Sequence, residues 1–115
     1  MLTPTPETLT ALHDEMREVM DNADCLIPQA DLEVALDRMA VELTERLGDR
    51  MPIFYCVMNG GLITAGQLLT RLDFPLEVDY LHATRYRGAM RGGELFWRVN
   101  PELPMAGRDV VIVDD

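Results

Sequence analysis

The fold is decided by residues 53–69, which read IFYCVMNGGLITAGQLL. The first six of them are continuously apolar and rich in strand-forming residues, a pattern typical of a strand covered on both faces of a parallel sheet. Asn59-Gly60-Gly61 ends that strand abruptly, and residues 62–72 have helical character. Residues 76–82 then alternate between apolar and polar. The segment therefore predicts a strand, a tight turn, a helix and a second strand, which together make a βαβ unit.

Two helices and a final strand surround this unit in the sequence. Apolar residues at spacings of three and four predict helices over 6–21 and 30–47, the first with Thr5 as its N-cap and Pro6 at its first position. Near the end of the chain, VVIV at 110–113 predicts a third strand of the sheet. Because a fully apolar strand needs neighbours on both edges, we expect the chain to lack the C-terminal part of its domain.

The charge is strongly negative and unevenly distributed. The sequence has 10 Arg, no Lys and 20 Asp plus Glu, for a net charge of −10. Residues 1–50 carry 12 acids against 4 arginines (−8), whereas residues 82–98 carry 4 arginines against one glutamate (+3). Such a net charge disfavours binding to nucleic acid or to anionic membranes. We expect any anionic ligand near the arginines, where TRYRGAMRGG (84–93) predicts a loop and residues 94–99 its returning strand.

The cysteines and the apolar runs exclude several classes of protein. Cys25 and Cys56 have neither a metal-binding spacing nor a preceding signal peptide, which indicates a reduced, cytoplasmic protein. Apolar runs are far shorter than the roughly 20 residues of a membrane helix. Cys56 lies inside the first apolar strand and is expected to be an inert core thiol, and we assign no role to His82.

Three unusual segments follow the three predicted parallel strands. They are Asn59-Gly60-Gly61, the loop 84–93, and the pair Asp114 and Asp115. Each alone has a plainer interpretation, as a βα turn, a solvated basic surface or a helix N-cap. However, the carboxyl ends of parallel strands meet at one edge, where open α/β sheets bind ligands. Together the segments predict backbone amides for a phosphate, arginines for further negative charge, and carboxylates for a metal ion or sugar hydroxyls.

A family resemblance rests on three stretches of sequence in a fixed order. They are FYCVMNGGLITAGQLL (54–69), VDYLHATRYRG (78–88) and GRDVVIVDD (107–115). This series resembles the type I phosphoribosyltransferases, and in particular the hypoxanthine-guanine members from bacteria. The resemblance implies an α/β fold with a Rossmann-like parallel sheet and flanking helices, incomplete at the C-terminus. It implies an N-terminal helix in residues 1–23 and the N-terminal part of a phosphoribosyltransferase domain in residues 24–115.

The activity that the resemblance implies belongs to purine salvage. The phosphoribosyl group of phosphoribosyl pyrophosphate would be transferred, with Mg²⁺, to hypoxanthine or guanine, giving IMP or GMP and pyrophosphate. Asn59, Gly60 and Gly61 would bind the pyrophosphate. Asp114 and Asp115 would bind the ribose hydroxyls, and the metal ion through water.

The resemblance also assigns a role to the loop 84–93, which would close over the reacting centre. Tyr86 is its implied catalytic-loop residue, flanked by Thr84 and Arg85. The family usually has Ser before this tyrosine, so Arg85 departs from its pattern. The residues that recognise the 6-oxopurine base lie after Asp115 in the family, and the 115-residue chain alone is therefore expected to be inactive.

Two other functions remain open at this point. A regulator with a phosphoribosyltransferase fold would bind RNA or a nucleotide through the arginines of 85–98, although the net charge of −10 argues against RNA. A purely structural fragment would serve only assembly. For the transferase, the expected partners are phosphoribosyl pyrophosphate and a 6-oxopurine, without nucleic acid or membrane, in a homodimer or homotetramer. The sequence does not choose among hypoxanthine, guanine and xanthine.

Overall fold

A computed structural model describes residues 3–85 and 94–115. The chain divides into two compact units, of which the first ends at Asp31 and the second runs from Leu32 to Asp115. The predicted domain boundary between residues 23 and 24 stays a prediction. Within the described part of the chain, no helix has the length and apolar character needed to cross a bilayer.

The first unit contains helix α1, Pro6–Asn22, close to the predicted 6–21. Its start follows from local chemistry, because the side chain of Thr5 accepts a hydrogen bond from the backbone N–H of Thr8 at 3.1 Å and Pro6 needs no such partner. No residue of α1 is buried within the described structure. Helix α2, Gln29–Leu47, begins in this unit and lies mostly in the second.

The second unit is built on a four-stranded sheet. After α2, the elements are β1 (Ile53–Val57), α3 (Leu62–Leu69), β2 (Glu77–Arg85), β3 (Leu95–Val99) and β4 (Val110–Val113). Their order across the sheet is β3-β2-β1-β4, with β1 parallel to both β2 and β4 and β3 antiparallel to β2. The predicted parallel sheet with flanking helices is confirmed, with one antiparallel strand at its edge.

The core lies on the face of the sheet that α2 and α3 cover. Phe54 and Cys56 of β1 pack there with Val113 of β4, against Leu36 of α2 and Leu68 of α3. The central position of β1 explains its continuous apolar character, since four of its five residues are buried.

Strand β2 is longer than predicted, because it has two successive partners. Its first five residues pair with β1, ending at Leu81 opposite Val57, and its last four pair with β3. The prediction that Thr84 and Arg85 belong to the loop is therefore wrong. Their ladder partners on β3 are Phe96 and Leu95, and these pairs extend the strand. The predicted returning strand in 94–99 is confirmed.

The opposite face of β1 is covered by the connection between β3 and β4. Tyr55, which is fully buried, donates a hydrogen bond from its hydroxyl to the carbonyl of Leu103 at 3.0 Å. Asp79 accepts backbone hydrogen bonds from Glu102 at 3.1 Å and from Leu103 at 3.3 Å. Asp79 also accepts one from Tyr80 at 2.8 Å. These contacts fix the segment that leads into β4.

Candidate functional site

The glycine turn (Asn59, Gly60 and Gly61) connects β1 to α3 at the carboxyl edge of the sheet. The backbone N–H of Gly61 donates to the carbonyl of Val57 at 2.7 Å, and that of Leu62 donates to the carbonyl of Asn59 at 3.1 Å. No acceptor among residues 3–85 and 94–115 takes the backbone N–H of Asn59 or Gly60. Two backbone donors are thus open beside the first turn of a helix, where an anion is favoured.

The two glycines permit different close contacts, Gly61 with backbone atoms and Gly60 with a side chain. Gly61 is buried, and a Cβ atom there would collide with the carbonyl oxygen of Val113 and lie 3.0 Å from that of Val57. Gly60 is exposed, and a Cβ atom there would lie 2.7 Å from the carboxyl carbon of Asp115. The predicted meeting of the glycine turn with the residues after β4 is therefore observed in the structure.

The acidic pair (Asp114 and Asp115) follows β4 and is exposed. Its two carboxylates have different contacts, although the residues are adjacent. Oδ1 of Asp114 accepts a hydrogen bond from the backbone N–H of Asp115 at 2.8 Å, whereas the carboxylate of Asp115 lies against Gly60. Asp114 thus orients the backbone of Asp115, and the Asp115 carboxylate faces the glycine turn. Neither forms an ion pair with any residue in the described part of the chain.

Strand β2 brings Thr84 and Arg85 past the end of β1. The last β1–β2 pair is Val57 with Leu81, and the N–H of Met58 donates to the carbonyl of Leu81 at 2.8 Å. Thr84 and Arg85 come three and four residues later, toward the same edge of the sheet as the glycine turn. The predicted catalytic-loop residue, Tyr86, lies outside the described residues.

The carboxylates at this edge suit a hydrated Mg²⁺ ion better than an ion that is enclosed by protein ligands alone. The described residues contain no group of three or more His, Cys, Asp or Glu side chains placed to hold a metal ion. Asp115 supplies one carboxylate free of protein partners in that part of the chain, with a second on Asp114. Mg²⁺ commonly keeps several waters and binds one or two carboxylates together with substrate phosphates. The acidic pair fits that mode of binding.

Cys56 is buried in the core cluster, as predicted. Burial raises the pKa of its thiol, and the negative charge of Asp114 raises it further. Both effects disfavour the reactive thiolate, which is consistent with an inert thiol. His82 lies at the irregularity between the β1 and β3 pairings of β2 and has no hydrogen bond to another described side chain.

A cavity of about 250 Å³ lies beside the acidic pair, between α2 and β4. Met39 and Leu43 line it from α2, and Val111 and Val113 line it from β4, with Asp114 at one end. Most of its wall is apolar, so it belongs to the packing of helix against sheet rather than to the polar edge.

Sequence reasoning missed the roles of Tyr55 and Asp79, which hold the connection between β3 and β4 through Glu102 and Leu103. Burial alone would raise the pKa of Asp79, but hydrogen bonds from Tyr80, Glu102 and Leu103 outweigh it, and its pKa lies below the ordinary value. Burial is also the main reason that the pKa of Tyr55 is raised. Asp79 is the register partner of Tyr55 on β1, and this pairing is visible only in the structure.

Known proteins give independent information on this arrangement. No protein-family model matches the sequence. The hypoxanthine-guanine-xanthine phosphoribosyltransferase of Tritrichomonas foetus is 32% identical over 108 residues, which cover 94% of this chain and 56% of that protein. The chain spans about half the length of the curated phosphoribosyltransferases it matches.

Solved structures agree with this match. A hypoxanthine-guanine-xanthine phosphoribosyltransferase superposes with a TM-score of 0.66 at 28% identity, over 77% of this chain and 49% of that one. A hypoxanthine phosphoribosyltransferase from Staphylococcus aureus has a TM-score of 0.73 at 21% identity, over 82% and 53% of the two chains, and so supports the fold alone. The curated relative and both of these structures are named as phosphoribosyltransferases. By sequence and by fold, the chain is similar to the type I phosphoribosyltransferases.

Proposed function

We propose that this chain carries the phosphoribosyl-pyrophosphate side of a hypoxanthine-guanine phosphoribosyltransferase. The observation that supports this most is the contact between Asp115 and Gly60 at the carboxyl edge. It places a carboxylate suited to ribose hydroxyls or a hydrated cation beside open backbone donors suited to a phosphate. Xanthine is a further candidate base, because the name of the Tritrichomonas foetus relative includes it.

In the proposed reaction, a ring nitrogen of the purine forms a bond to C1 of the ribose. The C1–O bond to pyrophosphate breaks, its electron pair leaves with the pyrophosphate, and the purine loses the proton of that nitrogen. Bond breaking runs ahead of bond making, so positive charge develops on the ribose, as in glycoside cleavage. Mg²⁺, when bound, would neutralise charge on the departing pyrophosphate.

The residues of this chain would act by binding and orientation. The open N–H groups of Asn59 and Gly60 would donate to pyrophosphate oxygens, and the first turn of α3 would stabilise their negative charge. Asp115 would accept hydrogen bonds from the ribose hydroxyls. Asp114 would hold the backbone of Asp115 in the orientation that directs its carboxylate to the turn. Tyr86, with Thr84 and Arg85, would exclude water from the reacting centre.

The remaining expectations extend this proposal. Mg²⁺ is the proposed metal, and a 6-oxopurine base and phosphoribosyl pyrophosphate are the proposed substrates. A cytoplasmic location and assembly as a homodimer or homotetramer are proposed for the native protein. The 115-residue chain alone is expected to bind phosphoribosyl pyrophosphate without transferring it to a base.

The proposal is tested by calorimetric binding of phosphoribosyl pyrophosphate with Mg²⁺ to the chain. Asp114→Asn and Asp115→Asn each remove a charge at nearly constant size, and each should weaken binding by roughly 10- to 150-fold, equivalent to the 1.5 to 3 kcal/mol of a charge-assisted hydrogen bond. Asp73→Asn is the matched control, because this exposed aspartate precedes β2 at the opposite edge.

Transfer itself is measured as Mg²⁺-dependent formation of IMP from hypoxanthine, and of GMP from guanine, by the native protein. If both acidic-pair variants bind like the wild type, the site assignment is wrong and the acidic pair is only a cap. Absence of IMP and GMP formation by the native protein would reject the reaction itself.

A further inference from the structure

The sequence contains three asparagines, and only Asn59 is followed by glycine. Asn59 and Gly60 are both exposed in the glycine turn. Within residues 3–85 and 94–115, the side-chain amide of Asn59 has no hydrogen-bond partner, and neither has the backbone N–H of Gly60. An unbonded side-chain amide and an unbonded backbone nitrogen are therefore adjacent and open to solvent.

Asn22, near the end of α1, provides a contrast within the same chain. Its side-chain nitrogen donates a hydrogen bond to the carbonyl of Glu18 at 2.9 Å. The backbone N–H of the next residue, Ala23, donates to the carbonyl of Met20 at 3.3 Å. Both groups would have to leave their hydrogen bonds before they could react with each other. Asn22 is thus an internal control for Asn59.

We propose that Asn59 is a site of spontaneous deamidation, in which the backbone nitrogen of Gly60 is the nucleophile, and that pyrophosphate bound at the glycine turn protects it. The modification itself needs only the chain and water. The protection rests on the proposed function, because that function makes the N–H of Gly60 a donor to pyrophosphate. A nitrogen that is engaged in this hydrogen bond is not available for attack.

The reaction releases ammonia and consumes water. The Gly60 nitrogen gives its proton to solvent and forms a bond to Cγ of Asn59, while the bond from Cγ to the side-chain nitrogen breaks. That nitrogen takes up a proton and leaves as ammonia, and a cyclic imide remains. Water then adds to one of the two imide carbonyl carbons and breaks its bond to the ring nitrogen. The product is aspartate or isoaspartate at position 59.

The structure favours this reaction at Gly60 and makes its consequence local. Glycine has no Cβ atom, so its nitrogen is less crowded than that of any other residue. Either product places a carboxylate where the turn had a neutral amide, and isoaspartate also adds a methylene group to the backbone. Gly61 is packed against backbone atoms of β1 and β4 and leaves little room for the longer chain. Protein with an occupied site is therefore expected to keep an intact turn for longer than empty protein.

The test is incubation of the folded chain at mildly alkaline pH, followed by peptide mapping with mass spectrometry and an enzymatic assay for isoaspartate. Asn59 should convert at least about tenfold faster than Asn22, because the hydrogen bonds at Asn22 must open first. Asn100 should stay unconverted on the same timescale, because the nitrogen of Pro101 carries no hydrogen.

Two variants identify the reacting atoms. Gly60→Ala should slow the conversion because its methyl group crowds the nitrogen, and Asn59→Gln should prevent it on this timescale because a larger ring must close. Thermal unfolding confirms that each variant is folded. Equal rates at Asn59 and Asn22 in the folded wild type would overturn the proposal. Conversion of Asn59 in urea but not in the folded chain would overturn it too, because the fold would then protect the turn without a ligand.

Protection is measured by repeating the incubation with inorganic pyrophosphate and Mg²⁺, and with Mg²⁺ alone as the control. At about ten times the dissociation constant found by calorimetry, pyrophosphate should slow the conversion by roughly tenfold. If pyrophosphate binds and the rate is unchanged, the protection is wrong and Gly60 is not its donor. If pyrophosphate does not bind, the pyrophosphate site and its protection are both wrong, whereas conversion of Asn59 in the free chain still supports the modification site.

Discussion

The two ends of the parallel strands use their charged residues in opposite ways. At the amino edge, Arg50 pairs with Asp109 at 2.8 Å, and Arg108 pairs with Glu77 at 2.8 Å. Arg108 also donates to the carbonyl of Met51 at 2.7 Å. At the carboxyl edge, by contrast, the acidic pair has no ion-pair partner in the described part of the chain.

This difference separates groups that hold the sheet together from groups that are available to a ligand. Charge neutralisation at the amino edge joins residues that precede β1 and β4 to each other and to the first residue of β2. It also reinforces the backbone hydrogen bond from Ile53 to the carbonyl of Asp109 at 2.9 Å. At the carboxyl edge, the close contacts are van der Waals contacts. The backbone N–H groups of the turn and the carboxylates of the acidic pair can still bind a ligand. Substitutions of the charged residues should therefore change the free energy of unfolding at the amino edge and ligand binding at the carboxyl edge.

The largest effect on stability is expected from Gly61→Ala. Its methyl group would collide with the carbonyl oxygen of Val113 and approach that of Val57, and both belong to backbone in the sheet. Overpacking of this kind should lower the free energy of unfolding by about 3 kcal/mol, measured by urea denaturation. An unchanged midpoint would mean that β4 does not pack against the turn.

Arg108→Met should have the next largest effect, because it removes both contacts of a partly buried arginine side chain at the amino edge. Met keeps the apolar stem, so the loss should reflect the charged contacts, about 1.5 kcal/mol in urea denaturation. Arg46→Met is the matched control, since the pair of Arg46 with Glu42 is exposed and should contribute about 0.4 kcal/mol. If the two variants lost equal unfolding free energy, the ion pair at the amino edge would contribute no more than an ordinary exposed ion pair.

Asp79→Asn should lower stability at pH 7 by about 1 kcal/mol, because a carboxylate accepts the backbone hydrogen bonds of Glu102 and Leu103 more strongly than an amide does. The pKa of Asp79 is lower in the folded state than its ordinary value. Its contribution is therefore present above the unfolded pKa, about 3.9, and is lost as the pH falls through the folded pKa.

The measurement is thermal or urea unfolding of wild type and Asp79→Asn across pH 2 to 7. The difference between the two should be constant near neutrality and should shrink below about pH 4. A difference that does not depend on pH would assign the effect to packing rather than to charge.

The smallest effect on stability is expected from Gly60→Ala at the carboxyl edge. Its methyl group meets only the end of the Asp115 side chain, which can rotate away. The free energy of unfolding should change by no more than about 0.5 kcal/mol, whereas pyrophosphate binding should change because the carboxylate has moved. A loss as large as that of Gly61→Ala would show that the two glycines do not have separate roles.

Much of the sheet could be predicted from short stretches of sequence. The apolar runs of β1 and β4 and the glycines between β1 and α3 are local signals, and the parallel arrangement then brings their ends together. The extension of β2 to Arg85 was not predictable in the same way, because it depends on pairing with β3. An Arg- and Gly-rich stretch gives no local sign of that partner.

Side-chain roles at the site were less predictable than the site itself. Asp79 holds Glu102 and Leu103, which are 23 and 24 residues away, and no local pattern encodes such a contact. The difference between Asp114 and Asp115 depends on how the chain turns after β4. Adjacent aspartates look alike in sequence, and only the hydrogen bond from Asp115 N–H to Asp114 and the contact with Gly60 distinguish them.

The pairing of β4 with β1 also sets the order in which the site can assemble during folding. Ile53 pairs with Glu77 across 24 residues of chain, but with Val110 across 57. Closing the longer loop costs more conformational entropy, so β4 is expected to dock after β1, α3 and β2 have formed. Gly60 and Asp115 meet only at that last step. A ligand that contacts both would therefore stabilise the pairing of β4 with β1 and would slow unfolding that begins with the loss of β4.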